Sequence, residues 1–200
     1  MIHAVGDSHA AATFAEIAGI TAYHVGPVTM WRLGNPADVL LPAVVGTLRL
    51  GPRDALILCC GEIDVRCHVG PQAARQKRAA GDVIVDLAER YLNRARALDV
   101  GGAAVGILAV VPPVPAERAV NANFPVVGSL AERVAWTDQL NACLRAGCRD
   151  RGLAFIDINT PYRTADGAMR LELSDGCVHV GAATVPTLVR AALRAAELIP

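Results

Sequence analysis

The sequence has no excess of charge of either sign. Its 19 Lys and Arg residues balance 19 Asp and Glu residues. It therefore lacks the electrostatic footprint that draws a protein to nucleic acid or to an anionic membrane surface. No apolar run approaches the roughly 18 residues that a membrane-spanning helix needs. None of the six cysteines sits in a CxxC pair, and no Cys/His spacing resembles a zinc site. Reduced, mostly buried thiols are expected, with no metal. No basic segment followed by an apolar stretch and a cleavage site precedes the first strand, so a cytoplasmic protein is expected. No internal repeat, low-complexity tract or linker divides the 200 residues, which suit one domain over 1–200 with a full core. The apolar fraction of 53% against 19% charged residues excludes a disordered chain.

What is present is an alternation of strand-length apolar runs and helix-like segments. Ile2-His3-Ala4-Val5 is the first run, and Ala10 to Ile20, with Phe14 and Ile17 at helical spacing, reads as the helix after it. Ile20 to Val25 is a second short strand. Pro36 to Leu48 reads as a helix, with Pro36 suited to its first turn and Asn35 to its cap. Ala55 to Cys60 is apolar at every position, as expected only of a sheet covered on both faces. A long helix is expected within Pro71 to Leu98, its regular part starting beyond Gly81, then a buried strand from Ala103 to Val111, stopped by Pro112-Pro113. Pro112 to Ser129, with four prolines and two asparagines, reads as a long loop of the kind that is usually functional or mobile. Leu130 to Arg151 returns to helix, Gly152 ends it, Leu153 to Ile158 is a fifth strand, and Gly181 to Leu198 is the last helix.

Strands separated by helices imply a parallel α/β sheet with helices on both faces, because parallel neighbours need crossover connections. Ligands of such sheets bind outside the carboxyl ends of the strands. Three polar segments should converge on that edge: Gly6 to His9, Gly61 to His68, and Asp175 to His179. Ser8 follows a strand, stands beside a glycine and heads a helix, so it is placed either to be a nucleophile or to cap the helix. A serine nucleophile needs a base, an orienting group for that base, and donors for the oxyanion. His179, with Asp175 before it, arrives at the same edge and suits the base better than a capping role. His9 is expected near the site but not as a second base, and Asp7 as a brace of the turn.

With both ends in view, the chain resembles the SGNH/GDSL hydrolase family through Gly6-Asp7-Ser8 after the first strand and Asp175-Gly176-Cys177-Val178-His179 near the end. The resemblance spans nearly the whole chain. It implies a flavodoxin-like three-layer α/β/α sandwich with a five-stranded parallel sheet, and ester hydrolysis without metal or organic cofactor. It assigns Ser8 as nucleophile, His179 as general base and Asp175 as its partner. Two departures stand out. Asp175 and His179 are four residues apart where the family has three. The family's third-strand motif, Gly-x-Asn-Asp, matches Gly61-Glu62-Ile63-Asp64, so Ile63 holds the place of an oxyanion-stabilising asparagine and offers no donor.

Gly34-Asn35 resembles the family's second motif, and Gly34, Asn35 or Arg66 could supply a donor in compensation. Asp64 and Arg66, with Glu62 and His68, crowd the same loop. Arg66 could pair internally with Glu62 or Asp64, recognise an anionic substrate group with its planar fork, or do both. Few aromatics leave little for a lipase-type lid, whereas Trp31, Arg32 and the proline-rich loop could shape a polar pocket. The expected partner is a small soluble acyl ester, such as an O-acylated sugar, with no nucleic acid and no membrane. An acyltransferase using the same acyl-enzyme and a non-catalytic binding module on the same scaffold are the alternatives. A phosphate-binding loop is disfavoured, since Gly6-Asp7-Ser8-His9 lacks its glycines and lysine. Nothing in the sequence fixes the oligomeric state.

Overall fold

A computed structural model describes residues 1–119 and 121–199. Val120, within the expected proline-rich loop, and Pro200 lie outside the described residues. Five strands, β1 (Ile2–Gly6), β2 (Ile20–His24), β3 (Ala55–Cys59), β4 (Ala104–Leu108) and β5 (Ala154–Ile156), form one parallel sheet in the order β2-β1-β3-β4-β5. The chain steps outward to β2, then returns past β1 to β3. The topological switch therefore lies between β1 and β3, where ligands of open α/β sheets bind.

Alternation along each strand explains why both faces are covered. Ala55, Ile57 and Cys59 point into one core, and Leu56, Leu58 and Cys60 into the other. Burying each such Leu or Ile contributes about 1.5–3 kcal/mol. The first core is closed by α1 (Ser8–Phe14) and α8 (Val185–Ala195), whose Val185, Val189 and Leu193 recur at helical spacing. The second lies under α2 (Met30–Leu33), α3 (Leu40–Thr47), α5 (Ala80–Arg96) and α6 (Leu130–Arg151). The result is the expected α/β/α sandwich.

Several boundaries differ from expectation, each for a local reason. The first helix stops at Phe14, and turns carry the chain to Ile20. Pro36 is not in a helix; Asp38 accepts the Leu40 N–H at 2.9 Å, and α3 starts there. The regular long helix is α5, which starts one residue before Gly81, but the chain ahead of it forms a separate helix, α4 (Val69–Gln76), which ends at Lys77 in the left-handed region with φ 52°. Gly61 to His68 is no loop throughout, because Asp64–His68 forms a π-helical turn leading into α4. Helix α6 holds its expected span, fixed by a Ser129–Glu132 capping box and by Gly152. The segment between Asn159 and Val185 adds the short α7 (Asn159–Tyr162) and a single 3-10 turn.

Register decides what meets at the edge. Gly6 pairs with His24 of β2 and with Cys59 of β3, so these three strands end level with one another. Whatever follows each of them reaches the same patch of surface.

Candidate active site

The turn after β1 is tight. Asp7 N donates to the Cys59 carbonyl at 3.1 Å, and the Asp7 carboxylate caps α1 by accepting the His9 N–H at 2.9 Å. With Asp7 as the cap, Ser8 is the first helical residue. Its own N–H is among those a helix cannot pair internally.

The second arm comes from the far end of the chain. Ser174 and Val180 pair as an isolated antiparallel bridge, and Asp175 N donates to the His179 carbonyl at 3.0 Å. The residues between them loop out through Gly176, whose φ of +87° favours glycine. Asp175 Oδ1 accepts the Cys177 and His179 N–H groups at 2.8 and 3.2 Å, which fixes the carboxylate. Its Oδ2 lies 2.8 Å from His179 Nδ1, and His179 Nε2 lies 2.8 Å from Ser8 Oγ. The extra residue between Asp175 and His179 is thus absorbed in the loop, and the carboxylate still reaches the ring.

Electrostatics agree with this geometry. Burial lowers the His179 pKa below its ordinary value, and the neighbouring His9 adds to this, outweighing the opposing pull of Asp175. Burial works against ionised Asp175, but the hydrogen bonds from His179 and the Cys177 N–H hold its carboxyl below the usual range. A neutral imidazole facing a hydroxyl, with a carboxylate behind it, can take a proton from Ser8.

Ser8 and His179 open onto a cavity of about 260 Å3, walled by Glu62 and Ile63 from the segment after β3 and by Asn121 and Phe124 from the proline-rich loop. Asn121 Oδ1 is occupied by the Asn123 N–H at 2.9 Å. Two other hollows touch Trp31, one reaching Asp64 and His68 and one running beside Arg90. Neither is lined by a serine. Among the described residues, no group of three or more His, Cys, Asp or Glu is set to hold a metal ion, and no helix is long and apolar enough to cross a membrane.

Solved structures with this architecture include esterases. The chain is similar to an aryl esterase of M. smegmatis, with a TM-score of 0.62 at 15% identity and 99% of each chain covered. It is similar to Est24, a carbohydrate acetylesterase of Sinorhizobium meliloti, with 0.60 at 16% identity and 99% of each chain covered. A GDSL-like lipase of Bacteroides thetaiotaomicron superposes with 0.57 at 13% identity, over 98% of this chain and 84% of that one. The fold is that of the SGNH/GDSL hydrolases. No family model matches the sequence, and neither does any curated protein.

Within the SGNH/GDSL fold, four expected site residues fall elsewhere or act otherwise. Gly34 and Asn35 do not line the Ser8 cavity. Gly34 packs on α5, where an added Cβ would meet Arg90 Cγ at 2.9 Å, and Asn35 accepts the Ala37 N–H. They lie beyond α2. After β2 the place at the cavity belongs to the turn around Gly26, since His24 and Pro27 line it.

Asp64 is 1% exposed and points away, accepting the Met30 and Trp31 N–H groups at 2.7 and 3.2 Å. Burial pushes its pKa up to about 7 against those hydrogen bonds. It braces the start of α2. Arg66 does line the cavity, but its fork is bidentate to Glu62 at 2.7 and 3.0 Å, and Nη1 donates to the Phe124 carbonyl. Its Nε/Nη2 edge is spent on the internal pair with Glu62, and Nη1 ties down the proline-rich loop. Trp31 and Arg32 shape no part of the Ser8 cavity; Arg32 pairs with Asp38.

The sequence reading missed Asn121 and Phe124, although the proline content had marked their loop. It also underrated His9. This ring is 5% exposed, lies against His179 with centroids 4.7 Å apart, and contacts Asp7 and the Val178 carbonyl.

Proposed function

We propose that the protein is a serine esterase that cleaves a small acyl group from a soluble ester through an acyl-enzyme. The observation that carries this is the continuous hydrogen-bonded line from Asp175 through His179 to Ser8 Oγ, with 2.8 Å at each step. Ser8 Oγ attacks the ester carbonyl carbon while His179 Nε2 takes its proton. The oxyanion develops beside the Ser8 N–H. Collapse expels the alcohol, which takes the proton from His179. Water, deprotonated by His179, then attacks the acyl-enzyme and restores Ser8.

An O-acetylated sugar is the substrate class favoured by the likeness to a carbohydrate acetylesterase. Covalent labelling with a fluorophosphonate probe tests the chemistry: modification at Ser8 is expected, and its absence in folded protein points to the non-catalytic module instead. Release of acetate from a panel of acetylated sugars then tests the substrate.

Two substitutions probe the parts in which this site departs from the family pattern. Asp175→Asn is expected to lower kcat by about 100-fold or more, because the amide cannot stabilise the imidazolium that forms. A change below about threefold would mean that Asp175 only shapes the loop. Ile63→Asn should do the opposite. Ile63 walls the cavity without a donor, and loss of one oxyanion donor costs about 100- to 1,000-fold elsewhere. An added amide is expected to raise kcat on p-nitrophenyl acetate by about tenfold. Unchanged turnover in a folded variant would place the oxyanion away from Ile63.

A further inference from the structure

His9 faces two acceptors and no donor. Its Nδ1 lies 3.1 Å from Asp7 Oδ1, and its Nε2 lies 3.3 Å from the Val178 carbonyl oxygen. A neutral imidazole has one N–H and can satisfy only one of them; an imidazolium satisfies both. Asp7 is fully buried, and among the described residues its Oδ2 has no hydrogen-bond partner. A carboxylate so placed calls for a cation beside it. The acceptor on the other side, Val178, is the residue directly before His179.

We propose that His9 is a positioning residue: an imidazolium that ties the His179 loop to the Ser8 turn through the Val178 carbonyl and holds His179 in its neutral, proton-accepting form. This rests on reading Ser8 and His179 as nucleophile and base. The bond joins residues 169 apart in sequence, so the two arms of the site are stitched directly to each other. The charged groups around the pair are few. Asp7 and Glu62 face His9, and His9, Asp175 and Glu62 face His179. Glu62 is itself paired with Arg66, with Arg133 nearby. Cys59 and Cys60 face Asp7, and burial pushes both thiols well up, so they add no charge.

The balance of these groups supports the proposal. Burial opposes a charged His9, yet the Asp7 carboxylate, its hydrogen bond, Glu62 and the Val178 carbonyl outweigh it and push the pKa up to about 9. A positive charge whose ring centre is 4.7 Å from that of His179 disfavours a second proton there. Pairing with Asp7 limits the repulsion, so His179 can still take the Ser8 proton in passing and return it readily as an acid.

The wild-type protein gives the first test, independent of turnover. Nitrogen–proton correlation spectra of the imidazoles at pH 8 are expected to show both His9 nitrogens protonated; a single neutral tautomer overturns the proposal. The second test is His9→Gln, which keeps a side-chain N–H for the Val178 carbonyl and removes the charge. The acid limb of kcat/KM is expected to move up by about one pH unit, so that activity falls by up to about tenfold on the acid side of the limb and stays within about threefold of wild type at pH 8.5. An equal loss at every pH, with the limb unmoved, marks a merely structural role and overturns the proposal. His179 titration followed by spectroscopy in both proteins should show the same displacement. If it does while Ser8 ignores the fluorophosphonate, the esterase reading fails and the histidine coupling stands. If Ser8 reacts and the titration does not move, the coupling fails alone.

Discussion

Ser8→Ala is expected to lower kcat/KM for a small acetyl ester by about 10,000-fold or more and to abolish fluorophosphonate labelling. The methyl group removes the attacking oxygen and leaves His179 Nε2 without the hydroxyl it meets at 2.8 Å. His179→Ala should cost nearly as much, because Oγ then has no base. The double variant should be no worse than either single one, since the two groups act as one device and their effects do not add. Ser8 is half-buried at the surface of the cavity, so both variants should keep the melting temperature within a few degrees. Residual turnover of Ser8→Ala within about 100-fold of wild type would move the chemistry to another residue.

Gly6→Ala is expected to destabilise the protein by about 3 kcal/mol or more, enough to threaten folding. A Cβ on Gly6 would lie 1.9 Å from the Cys59 carbonyl oxygen and 2.9 Å from Cys59 Cβ. The obstacle is backbone of the neighbouring strand, so no rotamer change relieves it. The sheet would have to part between β1 and β3, beside Ser8. Gly46→Ala is the matched control: it lies in α3, and its Cβ would meet nothing within 4 Å. That change should be neutral or stabilising by up to about 1 kcal/mol. Urea unfolding of the two variants measures the contrast, and equal midpoints would contradict the close approach of the strands.

The glycine of Gly6-Asp7-Ser8 therefore has a steric reason apart from chemistry. The motif combines a strand end that admits no side chain, a cap that pulls the chain into a helix, and a hydroxyl raised at the start of that helix. The same economy appears at the other arm, where Asp175 both fixes its loop through two N–H groups and faces the His179 ring.

How far the sequence could be read depended on the range of the interaction. Ala55 to Cys59 announced a doubly covered strand because every position is apolar, and α6 announced its end with Gly152. The end of α4 at Lys77 carried no such mark, since lysine is not a residue that favours the left-handed conformation it adopts there. Gly34-Asn35 looks like a site motif because it resembles the family's second motif, a match of residue types that carries no position in space. The register of β1, β2 and β3 shows that the turn at Gly26 holds that place. Asp64 and Arg66 are grouped with the site by their place in the polar segment after the third strand. The π-helical turn sends the Asp64 carboxylate to the start of α2 while Arg66 folds back on Glu62.

By itself, the sequence determined the order and kind of the main elements, the parallel sheet, and the two segments that carry Ser8 and His179. Those properties follow from hydrophobic periodicity and from capping and turn chemistry, which act over a few residues. Only the tertiary structure decided which way each polar side chain points: that Asp175 reaches His179 despite the longer spacing, that Arg66 is spent on Glu62, and that His9 links the Ser8 turn to the His179 loop. Two of these pairings span only four residues and the third spans 169, so distance along the chain does not announce them. Direction and burial, which decide whether a polar group serves the site or the scaffold, exist only once the sheet has set its strand ends side by side.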